Sequence, residues 1–295
     1  MPASLAMVIT ALLWGSAYPV TRFLLADLPP MGAAAWRAGL AAIALAVVAR
    51  WRGETLPARR SAARLTVLGL LGGALLIIAL NVGVELTGAS LTSFVTGTYP
   101  IWAVLLAPLV LGEAIGGRAI LALVVASLGM VLIARPGGSH VDLAGVAVAL
   151  GGAIAFALYL DLARRWSDRD MPGPTLVALV LMLVTVVVCL PVQLVLGPSG
   201  LVPALSLNGA IALLWLALPA GALAHVLANF AVRHLPAGRS APFLMLVPVS
   251  GAAIAALLLG ERLDGLQLAG GALIVAGIGL ATLRRLTIPA AKVAA

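Results

Sequence analysis

A small set of polar side chains lies inside otherwise apolar stretches of this sequence. Asn81 and Glu85 are four residues apart and would share one face of a helix, and the same spacing relates His225, Asn229 and Arg233. Amide and imidazole groups donate and accept hydrogen bonds, so Asn81, His225 and Asn229 could hold a polar ligand. Each could instead bond to a neighbouring helix. Glu85 lies near the end of its apolar stretch, where solvation or helix capping would satisfy it.

Aromatic residues make up only 5% of the chain, so their positions are informative. Trp14 and Tyr18 are four residues apart, Tyr99 and Trp102 are three apart, and Tyr159 lies in a separate apolar stretch. Such side chains offer apolar area and ring faces to a ligand. The alternative is that they anchor helix ends at a membrane surface. The tryptophans beside arginine-containing boundaries fit this alternative well: Trp36, Trp51 and Trp166.

The sequence contains no recognisable set of catalytic or metal-binding residues. It has no HExxH, GxSxG or phosphate-loop motif, its three histidines lie apart without nearby acidic ligands, and its one cysteine, Cys189, lies in an apolar stretch. Asp161, Asp168 and Asp170 fall close to arginines and are expected to form a solvated connection. We therefore expect no enzyme, no metal site and no cofactor.

The elements that carry these residues are predicted to be membrane-spanning helices. Of the 295 residues, 63% are hydrophobic and 9% are charged, whereas a soluble domain has about 45–50% apolar and about 25% charged residues. The chain is therefore predicted to be an all-α polytopic membrane protein. Ten apolar stretches have the roughly 17–25 residues that cross a bilayer: 4–25, 32–50, 65–86, 89–111, 118–134, 142–161, 174–196, 208–231, 237–259 and 266–283.

The basic residues indicate how these helices are oriented. The net charge of +8 would favour a nucleic-acid partner in a soluble protein, but here the basic residues lie between apolar stretches, and no such partner is expected. With a cytoplasmic N-terminus, 14 of the 18 arginines and lysines lie on the cytoplasmic side, in accord with the positive-inside rule. Both termini are therefore predicted to be cytoplasmic. The outer set is Arg22, Arg37, Arg135 and Arg262.

The two halves of the sequence contain the same markers at an offset of 148 residues. Because five helices are an odd number, residues 1–137 and 138–295 would form inverted five-helix repeats, the second with a short cytoplasmic tail. Chance similarity between glycine-rich helices is the alternative. The repeat-related prolines are candidate hinges, and the repeat-related glutamates are expected to be architectural and solvated by short turns. The markers are Asn81 and Asn229, Pro100 and Pro248, and Gly112-Glu113 and Gly260-Glu261.

Short motifs follow one another along almost the whole chain. They are Leu13-Trp14-Gly15-Ser16-Ala17-Tyr18-Pro19, Trp36-Arg37, Thr87-Gly88-Ala89-Ser90, Tyr99-Pro100-Ile101-Trp102, Leu111-Gly112-Glu113, and Val247-Pro248 through Gly260-Glu261. In this order the chain resembles the drug/metabolite transporter superfamily, specifically its EamA-type members, and within it the aromatic amino-acid exporter branch. The resemblance implies ten helices in two five-helix halves and export of small metabolites from the bacterial cytoplasm.

Residues and resemblance together predict an inner-membrane exporter of small metabolites, with aromatic or other neutral amino acids as expected substrates, working by alternating access. Two alternatives stay open: a multidrug or lipophilic-cation exporter, and a membrane enzyme or lipid-handling scaffold. Deep carboxylates are nearly absent, which argues against an Asp/Glu proton relay and leaves facilitated export or histidine-mediated coupling open. The resemblance and the polar residues place the cavity between helices 1, 3, 4, 6, 8 and 9. The predicted substrate-binding residues are Trp14, Tyr18, Asn81, Tyr99, Trp102, Tyr159, His225 and Asn229.

Overall fold

The computed structural model describes residues 2–54, 59–112, 117–133, 142–166, 171–198, 204–234, 243–244, 246–261 and 264–282, and every regular element in these ranges is helical. The prediction of an all-α fold is therefore confirmed. Two π-helical turns, Leu70–Leu75 and Leu218–Leu223, interrupt longer helices. The α-helices are α1 (Ala3–Leu25), α2 (Pro30–Trp51), α3 (Arg59–Gly69), α4 (Leu76–Thr87), α5 (Ala89–Thr96), α6 (Tyr99–Leu111), α7 (Gly117–Ile133), α8 (Leu143–Arg165), α9 (Pro174–Leu196), α10 (Leu207–Ala217), α11 (Ala224–His234), α12 (Leu246–Leu259) and α13 (Gly265–Thr282).

Six helical segments in the described ranges are long and apolar enough to cross a membrane, so the polytopic membrane class is confirmed. Large apolar side chains such as Leu109, Val195 and Leu257 are exposed on the outside of the bundle, where lipid would contact them. The helices α7, α12 and α13 are not among the six, and the count of ten stays a prediction. The six are Ala3–Leu25, Pro30–Trp51, Ser61–Thr87, Leu143–Arg165, Pro174–Leu196 and Leu207–His234.

A seventh candidate span is broken. Its parts, Ala89–Ala103 and Leu105–Leu111, are bent by 47° relative to each other. A proline ring clashes with the carbonyl four residues earlier, and Pro108 follows this break by four residues. Pro100 lies in the first turn of α6, where a missing N–H costs no helical hydrogen bond. The bend therefore coincides with Pro108, and the hinge roles of Pro100 and Pro248 stay predictions.

The two π-helical turns lie 148 residues apart, the offset that relates the two halves of the sequence. In the first turn, a Cβ on Gly73 would lie 2.5 Å from the carbonyl oxygen of Leu181 in α9. A Cβ on Gly69 would lie 2.7 Å from the Val184 side chain of the same helix. The small residues of this segment thus let α9 approach closely, as small residues do between membrane helices.

Helix contacts between the two halves of the chain also occur in pairs. In each pair, a first-half helix and a second-half helix are replaced by their counterparts from the other half. The helix α1 packs against α12 and α11, and α8 packs against α6 and α4. Likewise, α9 packs against α3 and the first π-helical turn, and α2 packs against α10 and the second. Two further contacts join counterparts directly, α2 with α9 and α7 with α13.

Glu261, which follows α12, caps a helix from the other half of the chain. Its Oε1 accepts a hydrogen bond from the backbone N–H of Ala89 and its Oε2 one from Ser90, each at 3.0 Å. These N–H groups belong to the first turn of α5 and have no partner within their own helix. The architectural role predicted for Glu261 is confirmed, through capping rather than through solvation by a short turn. The counterpart Glu113 and also Arg135, Asp168, Asp170 and Arg262 lie outside the described residues.

Asp161 corrects an expectation, because it is not part of a solvated connection. The helix α8 continues to Arg165, one turn beyond the expected end of its apolar stretch. Asp161 therefore lies within the helix and is only 1% exposed. Charged residues near the end of an apolar stretch mark its boundary to within about a turn.

Candidate functional site

A cavity lies between helices from both halves of the chain, with about 490 Å³ of space between atoms that includes space open to its surroundings. All six helices that were predicted to surround it contribute lining residues. Predicted helices 1, 3, 4, 6, 8 and 9 correspond in the structure to α1, α4, α5 with α6, α8, the α10–α11 segment and α12. The helix α2 is an additional contributor, through Arg37. The lining residues are Trp14, Ala17, Tyr18, Arg37, Leu76, Ile77, Leu80, Thr96, Tyr99, Phe156, Ala220, His225 and Val247.

An aromatic cluster forms one part of this lining. Phe156 is at its centre, with its ring edge-to-face on Trp14 at 5.5 Å and on Tyr99 at 4.9 Å between ring centroids. On another side it stacks on Tyr159 at 5.3 Å. The ring of Trp14 also meets the imidazole of His225 edge-on at 5.3 Å. Edge-to-face pairs of this kind fix ring orientation, so the cluster is a preformed apolar surface.

Three polar atoms of the cavity residues are buried without a hydrogen-bond partner among the described residues. They are Nη1 of Arg37, the hydroxyl oxygen of Tyr99 and Nε2 of His225. Buried polar groups are nearly always paired with protein, water or a ligand, so these three atoms are open to partners that enter the cavity. Such atoms are available to a ligand that brings both a donor and an acceptor.

Tyr18, another predicted substrate-binding residue, lines the same cavity, but its hydroxyl already has a hydrogen-bond partner. Its hydroxyl lies 2.6 Å from the hydroxyl of Thr96, and the Thr96 hydroxyl donates to the carbonyl oxygen of Thr92 at 2.6 Å. Because the single proton of Thr96 is used there, Tyr18 is the donor in the first bond. Tyr18 thus offers a ligand its ring and its remaining acceptor capacity.

The imidazole of His225 has a defined orientation. Its Nδ1 lies 2.8 Å from the carbonyl oxygen of Gly221, in the second π-helical turn. A carbonyl oxygen only accepts, so Nδ1 carries the proton of this bond, and Nε2 is an acceptor in the neutral ring. The unpaired atom of His225 in the cavity is therefore suited to a donor such as an ammonium group.

Arg37 is the main correction to the sequence-based site. It was expected at the outer end of its helix because it lies, beside Trp36, near the start of the apolar stretch 32–50. The helix α2, however, begins at Pro30, so Arg37 lies about two turns inside it and is only 4% exposed. Among the described residues no carboxylate forms an ion pair with it. A buried arginine in the cavity lining does not count as an outer-loop charge, so one of the four exceptions to the predicted orientation disappears.

Asn229 and Tyr159 lie behind the cavity lining and support His225. The Tyr159 hydroxyl donates to Oδ1 of Asn229 at 3.0 Å, and Nδ2 of Asn229 donates to the backbone oxygen of His225 at 2.8 Å. Asn229 also lines a second cavity of about 320 Å³, beside Arg233 near the end of α11. The pair thus connects the α8 aromatic cluster with the helix turn that carries His225.

Asn81 and Trp102 also lie outside the lining of the 490 Å³ cavity. Asn81 is fully buried, and its Nδ2 donates to the backbone oxygen of Pro30 at 2.9 Å. Trp102 donates through Nε1 to the hydroxyl of Thr98 at 3.2 Å and packs on the same hydrophobic core as Phe156. Substrate contact by these two residues, and by Tyr159 and Asn229, stays a prediction.

The cavity residues Arg37 and Phe156 were not among the sequence candidates and add a charge and an aromatic ring to the lining. Phe156 lies three residues before Tyr159 and so one turn away on the same helix, a spacing that could have been recognised. Arg37 carried no such signal, because an arginine beside a tryptophan near a helix end is typical of a membrane interface.

Apolar membrane-spanning helices packed around an aromatic cavity with unpaired polar atoms define a membrane-embedded transporter of a small molecule rather than an enzyme. The chain belongs to the EamA-like transporter family, which matches residues 1–135 and 143–283. Its resemblance to the drug/metabolite transporter superfamily is thereby confirmed.

Known relatives extend over nearly the full chain. It is 30% identical over 292 residues to a probable terminal-alkyne amino-acid exporter of Streptantibioticus cattleyicolor, covering 95% of this chain and 93% of that protein. It is 26% identical over 279 residues to a probable amino-acid metabolite efflux pump of Escherichia coli, covering 92% and 91%. A protein of known crystal structure superposes with a TM-score of 0.70 at 19% identity, covering 97% of this chain and 99% of that one, and supports the fold alone.

Proposed function

We propose that this transporter exports amino acids, aromatic or other neutral ones, through the 490 Å³ cavity. The observation that carries the proposal is the set of three unpaired polar atoms, on Arg37, Tyr99 and His225, beside an aromatic surface. An amino acid brings a carboxylate, an ammonium group and an apolar side chain to such a cavity. The names of the Streptantibioticus cattleyicolor and Escherichia coli relatives point to the same class of substrate.

The cavity disfavours the rival substrate class, lipophilic cations. Arg37 places a positive charge in the lining, and none of the described lining residues has a carboxylate to offset it. A cation entering this space meets like-charge repulsion that is stronger than in water because the surroundings are apolar. A zwitterion can turn its carboxylate toward the arginine.

Alternating access between two inverted halves, residues 1–137 and 138–295, is the proposed mechanism. Three features support it: π-helical turns 148 residues apart, the positive-φ glycines Gly112 and Gly260 at the ends of α6 and α12, and helix contacts that exchange the halves. The cavity receives helices from both halves, so a movement of one half against the other would change its access.

The proposed location is the bacterial inner membrane with both termini in the cytoplasm. Reporter fusions at either terminus and at Arg59 are expected to report cytoplasm, because most basic residues then lie inside. A fusion at Gly138 is expected to report periplasm. A periplasmic C-terminus would contradict the even number of spans and the two five-helix halves.

The function is tested in proteoliposomes where only the substrate gradient is imposed. Purified protein is expected to give saturable counterflow of labelled phenylalanine or leucine, and little flux of the lipophilic cation tetraphenylphosphonium. Liposomes without protein measure leakage. Flux of the cation alone would favour the multidrug alternative. Absence of amino-acid flux with correctly folded, reconstituted protein would contradict the proposal.

A further inference from the structure

We propose that Arg37 binds the carboxylate of the transported amino acid and is therefore the residue that selects carboxylate-bearing substrates. The inference rests on the proposed function and adds to it the orientation of the substrate in the cavity. It starts from the burial of Arg37, which is 4% exposed, lines the cavity and has an unpaired Nη1.

A guanidinium group in this position requires an anion. Arginine stays charged inside proteins, and burying an uncompensated charge is strongly unfavourable, so buried arginines are normally paired. The cavity residues near Arg37 are aromatic, apolar or neutral polar, and no described carboxylate forms an ion pair with it. The missing partner is an anion supplied from outside the protein. A carboxylate fits best, since its two oxygens match the planar fork of a guanidinium.

The other unpaired atoms of the cavity fit the opposite end of the same molecule. Nε2 of His225 accepts in the neutral ring, and the Tyr99 hydroxyl can accept as well, so both can receive hydrogen bonds from an ammonium group. An α-amino acid carries carboxylate and ammonium on one carbon atom. With its carboxylate on Arg37, its side chain is left to the rings of Trp14 and Phe156.

The test compares each amino acid with the amine that lacks only the carboxylate. The probes are phenylalanine with 2-phenylethylamine and leucine with isopentylamine, measured by equilibrium binding to purified protein. Wild type is expected to bind the amino acid at least about 20-fold more tightly than the amine, the preference that a buried charge pair provides. In Arg37→Gln this preference is expected to vanish, while the amine binds at least as tightly as to wild type because a repelling charge is gone.

Control variants distinguish a failure of the proposed role of Arg37 from a failure of the proposed function. Arg22→Gln removes an exposed arginine near the end of α1 and is expected to leave every affinity unchanged. If Arg37→Gln does not fold, Arg37→Lys decides: it keeps the charge but loses the planar fork, so only amino-acid binding weakens. An unchanged preference in a folded variant, or equal losses for amino acid and amine, overturns the role of Arg37. Wild type that binds no amino acid contradicts the proposed function itself.

Discussion

Gly152→Ala is expected to lower the melting temperature and the yield of purified protein, whereas Gly151→Ala, one residue earlier in α8, lowers neither. A Cβ on Gly152 would lie 2.3 Å from the Cβ of Ala79 in α4, a contact that neither side chain can avoid by rotation. Overpacking of this kind typically costs about 1–3 kcal/mol. Gly151 has no atom within 4 Å of its added Cβ, and alanine favours helix over glycine.

A second substitution tests this explanation directly. Ala79→Gly removes the atom that the new methyl group would meet, so the double variant Gly152→Ala with Ala79→Gly is expected to recover stability. The recovery measures the coupling energy of the pair in a double-mutant cycle. Additive effects in that cycle, or equal losses for Gly151→Ala and Gly152→Ala, would contradict direct contact between α4 and α8.

The same variants report on transport, because α4 and α8 both contribute to the cavity lining. The helix α4 contributes Ile77 and Leu80, and α8 contributes Phe156. Forcing the helices apart at Gly152 therefore changes the shape of the cavity as well as the packing. Amino-acid flux per folded molecule is expected to fall in Gly152→Ala and to return in the double variant.

The sequence could predict the all-helical fold, the membrane class and the helices that surround the cavity, because each of these depends on a regular local signal. Apolar stretches of about 20 residues define spans, and polar or aromatic side chains within such stretches indicate which spans face a cavity. Tyr99 and His225 were found this way, and the structure places both in the cavity lining. These signals need no knowledge of neighbouring helices.

What the sequence could not predict is information that a neighbouring helix supplies. Asn81 and Asn229 are related by the 148-residue offset, yet one bonds to a backbone oxygen at the start of α2 and the other to a tyrosine of α8. A repeat determines the position along a helix but not what faces it. Asp161 and Arg37 were misplaced for other reasons. The helix α8 continues one turn beyond its apolar stretch and takes Asp161 inside. Arg37 lies near the start of its apolar stretch, but on a side of α2 that lines the cavity.

His225→Ala is expected to lower the affinity for a neutral amino acid about tenfold to a hundredfold, since a hydrogen bond to a charged group contributes about 1.5–3 kcal/mol. The reason is the acceptor Nε2 in the cavity, which is proposed to receive a hydrogen bond from the substrate ammonium group. His234→Ala is the matched control. His234 is in the same helix and, like His225, bonds through Nδ1 to the carbonyl oxygen four residues earlier, here that of Phe230 at 2.7 Å. Unlike His225, it is exposed.

A ligand without the ammonium group shows whether His225 contacts that group directly or only packs against Trp14. 3-Phenylpropionate keeps the ring and the carboxylate of phenylalanine, so its affinity is expected to be nearly the same for wild type and His225→Ala. If His225 only supports the ring of Trp14, which it meets at 5.3 Å, the variant weakens both ligands to the same extent. Unchanged phenylalanine binding in a folded variant would remove His225 from the site. Selective loss of phenylalanine here, together with selective loss of carboxylate preference in Arg37→Gln, would orient the amino acid between the two helices that carry these residues.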